Sequence, residues 1–107
     1  MKINIKATKL ELTKAISDYF QLKMNSLEKY LGDVKVINCD VEISKTIGNR
    51  NKGEIFRAEV NLMVPRQLLR VEKTEKDLYK AIDKVKDHLE LVIKKYKDKI
   101  IDKQKGK

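Results

Sequence analysis

Lysines dominate the side chains able to do chemistry in this chain, and they crowd one end of it. From Lys94 to Lys107 there are seven Lys against two Asp, whereas from Glu75 to Ile93 there are four Lys against five Asp or Glu. A run of ammonium groups suits phosphate, and seven like charges in 14 residues repel one another unless salt or a polyanion screens them. The other reactive side chains do not assemble a catalytic set. Cys39 alternates with apolar neighbours and reads as a small buried hydrophobe. A Cys39–His88 nucleophile pair lacks a third, orienting group. Asp83 and Asp87 lie one helical turn apart, the spacing of paired carboxylates, yet the surrounding lysines make ion pairs the simpler outcome. One His and one Cys cannot build a metal-ligand cluster. Gly32, Gly48, Gly53 and Gly106 are too far apart for a phosphate-cradling loop. No cofactor, metal or small-molecule substrate is expected, and the residues point to a binding protein rather than an enzyme.

The lysines must be displayed by a helix whose faces separate them. At about 100° per residue, Leu78, Ala81, Ile82, Val85, Leu89, Val92, Ile93, Tyr96 and Ile100 share one arc, the stripe that has to be buried. Lys84, His88, Leu91, Lys95 and Lys99 form one flank; Tyr79, Lys86, Glu90 and Lys97 form the other. Asp83, Asp87 and Glu90 are expected nearer the outer face, with Glu90–Lys94 a favourable pair one turn apart. The pattern predicts a helix from about Glu75 to Asp98, with residues 100–107 a basic, fraying tail outside a domain of residues 1–99. Near neutral at its start and basic at its end, the helix complements its own macrodipole. Tyr30 and Tyr79 are candidates for stacking on bases, with packing the simpler role for Tyr79.

The remaining elements follow from periodicity. Residues 2–6 alternate with Ile3 and Ile5 on one face, a short strand. Thr13 suits an N-cap, and Ile16, Phe20, Met24, Leu27 and Leu31 repeat at helical spacing, predicting one helix over 13–31 that Gly32 ends. Ile37, Cys39, Val41 and Ile43 alternate with polar residues, as do Phe56, Ala58, Val60, Leu62 and Val64. Between them lies a polar hairpin loop whose Arg50 and Lys52 are positioned for phosphate or simply for solubility. Pro65-Arg66-Gln67 turns the chain into a short fourth strand marked by Leu69 and Val71. The order is strand, helix, three strands, helix: an α+β domain in which both helices cover one face of an antiparallel meander.

Composition narrows the function classes. The 107 residues fit one domain, and their net charge of +9, with 38% charged residues, favours an anionic partner. No apolar window reaches membrane-spanning length, and the N-terminus lacks the apolar core of a signal peptide. A single Cys fits a reducing compartment, so a cytoplasmic location is expected. Four partner classes are compatible with these properties: a specific structured RNA, any duplex RNA, an anionic membrane surface, and a protein partner for which the lysines merely provide solvation.

The helix residues Asp77-Leu78-Tyr79, Ala81-Ile82-Asp83, Asp87, Leu89 and Lys95-Tyr96-Lys97 resemble the last helix of ribosome hibernation-promoting factors, also called ribosome-associated inhibitor A or sigma-54 modulation proteins. Leu27-Glu28-Lys29-Tyr30 resembles the end of that family's first helix. Val60-Asn61-Leu62-Met63-Val64-Pro65 with Leu69-Arg70-Val71-Glu72 resembles its third and fourth strands. The resemblance covers nearly the whole chain. It implies a β-α-β-β-β-α fold, a four-stranded sheet with two helices on one face, like a double-stranded-RNA-binding domain. It implies binding to ribosomal RNA of the small ribosomal subunit, in the messenger-RNA and A- and P-site transfer-RNA channel, which silences idle ribosomes without catalysis.

Carried over by position, the resemblance places the family's basic sites at Lys23, Ser26, Lys29, His88, Leu91, Lys95 and Lys97, with an aromatic at Tyr30. Ser26 and His88 stand where Lys is usual, and Leu91 where Arg is usual. Lys84 and Lys99, one turn away on the same flank, are positioned to replace the lost charges. The expected RNA-binding set is therefore Lys23, Lys29, Tyr30, Lys84, His88, Lys94, Lys95, Lys97 and Lys99. Long members of the family carry a further dimerising domain, so dimerisation is expected only if such a domain belongs to this protein.

Overall fold

Strict alternation along three strands builds the sheet. The structure, a computed structural model, describes residues 1–47 and 53–105. Arg50 and Lys52 of the hairpin loop lie outside the described residues. Strands β1 (Asn4–Thr8), β2 (Asn38–Ile47), β3 (Glu54–Val64) and β4 (Gln67–Glu75) form one sheet in the order β1-β2-β3-β4. β1 runs parallel to β2; β2–β3 and β3–β4 are antiparallel. The register sets side chains in rows. Ile5, Val41, Val60 and Val71 line up facing the core, as do Cys39, Leu62 and Leu69. The fourth strand is nine residues long: Arg70, Glu72 and Thr74 point to the outer face, while Lys73 and Glu75 continue the row of Leu69 and Val71 on the helix side, where Glu75 meets Lys84.

The expected first helix is broken. Helix α1 covers Lys14–Asn25 and α2 covers only Glu28–Leu31. Ser26 Oγ donates to the Lys23 carbonyl at 2.6 Å, a local bond that competes with regular helix. Apolar spacing does not reveal the break, because Phe20, Met24, Leu27 and Leu31 are all buried on either side of it. Thr13 caps α1 as expected, accepting from the Ile16 amide at 3.2 Å.

The long helix α3 spans Leu78–Lys105, starting later and ending well beyond the expected Asp98. Asp77 caps it, its carboxylate accepting from the Tyr79 amide at 2.8 Å and the Lys80 amide at 3.3 Å. Leu78, Ala81, Ile82, Val85, Leu89, Ile93 and Tyr96 are buried, so most of the stripe is core. Ile100 is 36% exposed, since the helix there has run past the sheet it packs on. α3 lies across β4 and β3 and touches α1 and α2, placing the helices and the core on one sheet face. No helix is long and apolar enough to cross a membrane among the described residues.

Candidate nucleic-acid interface

Where α1 and α2 meet α3, cations and aromatic rings alternate along a seam. At its start Tyr19 and Tyr79 meet edge to face, ring centres 4.8 Å apart. Tyr19 Oη donates to Asp83 at 2.5 Å, and Lys23 Nζ reaches the same carboxylate at 3.2 Å while lying 5.2 Å from the Tyr19 ring centre. Donating a hydrogen bond to Asp83 raises the pKa of both Lys23 and Tyr19, so both stay protonated at neutral pH. Tyr79 packs on Tyr19 and still exposes 40% of its surface.

Further along, Glu90 organises two lysines. Lys86 lies 3.4 Å and Lys94 3.2 Å from its carboxylate oxygens. Burial pushes the Glu90 carboxyl up, but hydrogen bonds from Lys94, Lys86 and Tyr30 outweigh it and hold the pKa below the ordinary carboxylate value. Lys94 Nζ is 4.9 Å and Lys29 Nζ 5.2 Å from the Tyr30 ring centre, both within cation–π range. Lys97 Nζ donates to the Tyr30 main-chain carbonyl at 2.9 Å. Gly32, at φ +56, follows directly; a Cβ there would come within 3.3 Å of the Lys97 ammonium.

The expected residues therefore fall into two groups on opposite sides of α3. Lys29, Tyr30, Lys94 and Lys97 converge at the α2–α3 end of the seam, with Lys23 further along it. Lys84, His88, Lys95 and Lys99 are exposed, and Lys84 and His88 lie on the flank facing β4. Lys84 is held by Glu75 at 2.6 Å. His88 and Leu91 line an open groove with Glu72, Lys73, Thr74 and Glu75 of β4. Lys95 has no acidic group within 4.0 Å among the described residues.

Two expectations change. Asp83 and Glu90 do not sit towards the outer face; both turn into the seam and bind lysines there. Tyr19 and Lys86, absent from the expected set, belong to the seam. Helical spacing already placed Lys86 on the flank with Tyr79 and Glu90, a signal for its position, whereas Tyr19 is placed by the α1–α3 contact. Cys39 is fully buried, and burial first, then the neighbouring Asp40 charge, pushes its thiol up to about 12, which leaves it unreactive. Among the described residues no group of His, Cys, Asp and Glu is placed to hold a metal ion.

Fold and side chains together define a lysine-rich α+β domain. The chain belongs to the Sigma 54 modulation protein / S30EA ribosomal protein family, whose model matches residues 3–101. It is 34% identical over 100 residues to a ribosome hibernation promotion factor of Lactococcus lactis, covering 94% of this chain and 51% of that protein. A ribosome hibernation promotion factor of Staphylococcus aureus is 31% identical over 107 residues, 100% of this chain and 54% of the relative. The chain thus spans about half the length of these relatives, which are hibernation promotion factors and not enzymes. The crystal structure of the Thermus thermophilus Protein Y N-terminal domain superposes with a TM-score of 0.70 at 32% identity, covering 90% of this chain and 99% of that one. A ribosomal subunit interface protein from Coxiella burnetii shares the fold, with a TM-score of 0.73 at 17% identity over 92% of this chain and 99% of that one.

Proposed function

We propose that this chain is the ribosome-binding domain of a cytoplasmic hibernation factor. It seats on the small subunit in the messenger-RNA and A- and P-site transfer-RNA channel, contacts ribosomal RNA, and silences idle ribosomes by occupancy rather than catalysis. The observation that carries this reading is the convergence of Lys29 and Lys94 on the Tyr30 ring, with Lys95 and Lys99 exposed on the other flank of α3. Several cations on rigid helices around one aromatic ring suit a folded RNA, whose phosphates and unstacked bases are presented in a fixed shape. Lys23, Lys84 and His88 extend the surface at its margins, each of the two lysines already neutralised by a carboxylate.

Co-sedimentation with small subunits on sucrose gradients tests this. If about five phosphates are neutralised, raising salt from about 50 to 200 mM weakens binding by roughly two to three powers of ten. Absence from the small-subunit fraction at low salt refutes the reading. Displacement by bulk duplex RNA at equal affinity replaces it with general duplex binding. A salt-independent interaction replaces it with a protein-docking role.

A further inference from the structure

β4 closes the sheet on one side, and no strand pairs with its outer edge among the described residues. It is nine residues long, against five for β1 at the opposite edge. A long free edge presents a row of unpaired amides and carbonyls, a template for another strand. Its sequence is Gln67-Leu68-Leu69-Arg70-Val71-Glu72-Lys73-Thr74-Glu75.

Antiparallel pairing with a second copy is tightly restricted by this sequence. A two-fold axis perpendicular to the sheet keeps core-facing residues opposite core-facing residues, so the axis must pass through a residue paired with itself. Centring on Arg70 opposes two arginines, on Glu72 two glutamates, and on Lys73 two lysines. Centring on Val71 opposes Arg70 to Glu72 twice, Leu69 to Lys73, Leu68 to Thr74 and Gln67 to Glu75. Only that register uses the whole strand, and it places opposite charges next to the axis.

The helix layer fits the same axis. Lys84 bonds Glu75 at one end and the Tyr96 hydroxyl donates to the Pro65 carbonyl at 2.9 Å at the other, so α3 runs antiparallel to β4. Leu91 then lies beside the middle of the strand, in the open groove along this edge, and it is 55% exposed. With strands about 4.8 Å apart and α3 over the β3–β4 pair, two such helices lie roughly 10 Å apart across the axis, the spacing of packed helices.

We propose that β4 is a self-association edge. Two copies pair antiparallel about Val71 into an eight-stranded sheet, with Leu91 of each copy covered by the other. The interface is small, so the dimer is weak, with a dissociation constant on the order of 10–100 µM. It needs no segment beyond this chain and does not depend on the ribosome reading.

Sedimentation equilibrium on the native chain, in salt high enough to screen repulsion between two copies of charge +9, reads this directly. The expected result is a monomer–dimer equilibrium, with slowed amide exchange in β4 as concentration rises. Leu91→Lys changes only an exposed side chain and weakens the dimer at least tenfold. Arg70→Glu and Glu72→Arg are each monomeric alone, but an equimolar mixture dimerises, because each then meets its opposite charge. A native monomer at about 1 mM overturns the proposal. So does a dimer that Leu91→Lys leaves unchanged, or one whose β4 amides exchange as fast as in the monomer. Should either charge variant fail to fold, Leu91→Lys and the exchange pattern decide alone.

Discussion

Lys97 Nζ donates to the main-chain carbonyl of Tyr30 at 2.9 Å, so a cation of α3 satisfies the C-terminus of α2. Helix ends leave carbonyls without partners, and a positive group there also meets the negative end of the dipole. Gly32 leaves the room the ammonium needs. Lys97 is therefore committed to holding the Tyr30 platform. Lys97→Met keeps the aliphatic stem, removes the bond, and is expected to cost about 1–2 kcal/mol in urea unfolding. The salt slope of RNA binding should stay as in the native chain. Lys95→Met should do the reverse, leaving stability unchanged and lowering the slope by about one. A lowered slope for Lys97→Met would assign Lys97 to phosphate instead.

On the outer face of the sheet the register sets Glu42, Glu59 and Glu72 directly side by side across three strands. Like charges so placed are unfavourable. Arg57, one pleat away, contacts all three, lying 3.5 Å from Glu42, 2.6 Å from Glu59, and closer still to Glu72, while Arg70 adds a 2.7 Å contact to Glu59. Arg57→Met should cost about 2–3 kcal/mol at neutral pH by leaving the row unpaired. Burial pushes the buried Glu59 carboxyl up, but Arg70, Asn61 and Arg57 together hold its pKa below the ordinary 4.5. A depressed carboxylate pKa gives stability that is present above 4.5 and lost as pH falls through the lower folded-state value. Urea midpoints measured at descending pH below neutrality should fall for the native chain and fall less for Glu59→Gln. Parallel pH curves for the two would show that Glu59 does not contribute.

Much of this fold was legible because burial follows period. Leu89, Ile93 and Tyr96 had to face inward on any helix carrying that sequence, and Val41, Val60 and Val71 on any strand. The α1–α2 break was not legible, because Leu27 at the break and Leu31 at the end of α2 are as buried as an unbroken helix would make them. Nor was the length of β4, whose outer-face charges look like loop until Glu59 and Arg57 are placed opposite them. At the site, spacing showed which lysines share a face. It did not show which of them are already bound, since Asp83, Glu75 and the Tyr30 carbonyl reach Lys23, Lys84 and Lys97 only through tertiary contact.

Lys23 shows what such neutralisation does. Its ammonium is shared between Asp83 and the Tyr19 ring, which weakens its pull on an approaching phosphate. Asp83→Asn retains an acceptor for the Tyr19 hydroxyl and releases the lysine. RNA affinity is expected to rise several-fold at low salt, with a salt slope steeper by up to one charge. The variant should also unfold about 1 kcal/mol more easily, because a hydrogen-bonded ion pair is gone. Unchanged affinity together with lowered stability would make Lys23 a strut between α1 and α3.

The two sides of α3 can be separated by charge reversal. On the seam side, Lys29→Glu/Lys94→Glu removes the two cations around Tyr30. On the β4 side, Lys84→Glu/His88→Glu alters a lysine already bound to Glu75 and a histidine in the groove. Neither set touches the buried stripe, so thermal midpoints report whether each variant is folded. In vitro translation with added protein is then the readout. The seam variant should lose most of its inhibition, since each lost phosphate contact also becomes a repulsion. The β4-side variant should lose little, because the Lys84 charge was already offset by Glu75. The opposite ranking would move the RNA-binding face to the groove beside β4, and inhibition by both variants as strong as by the native chain would remove α3 from it.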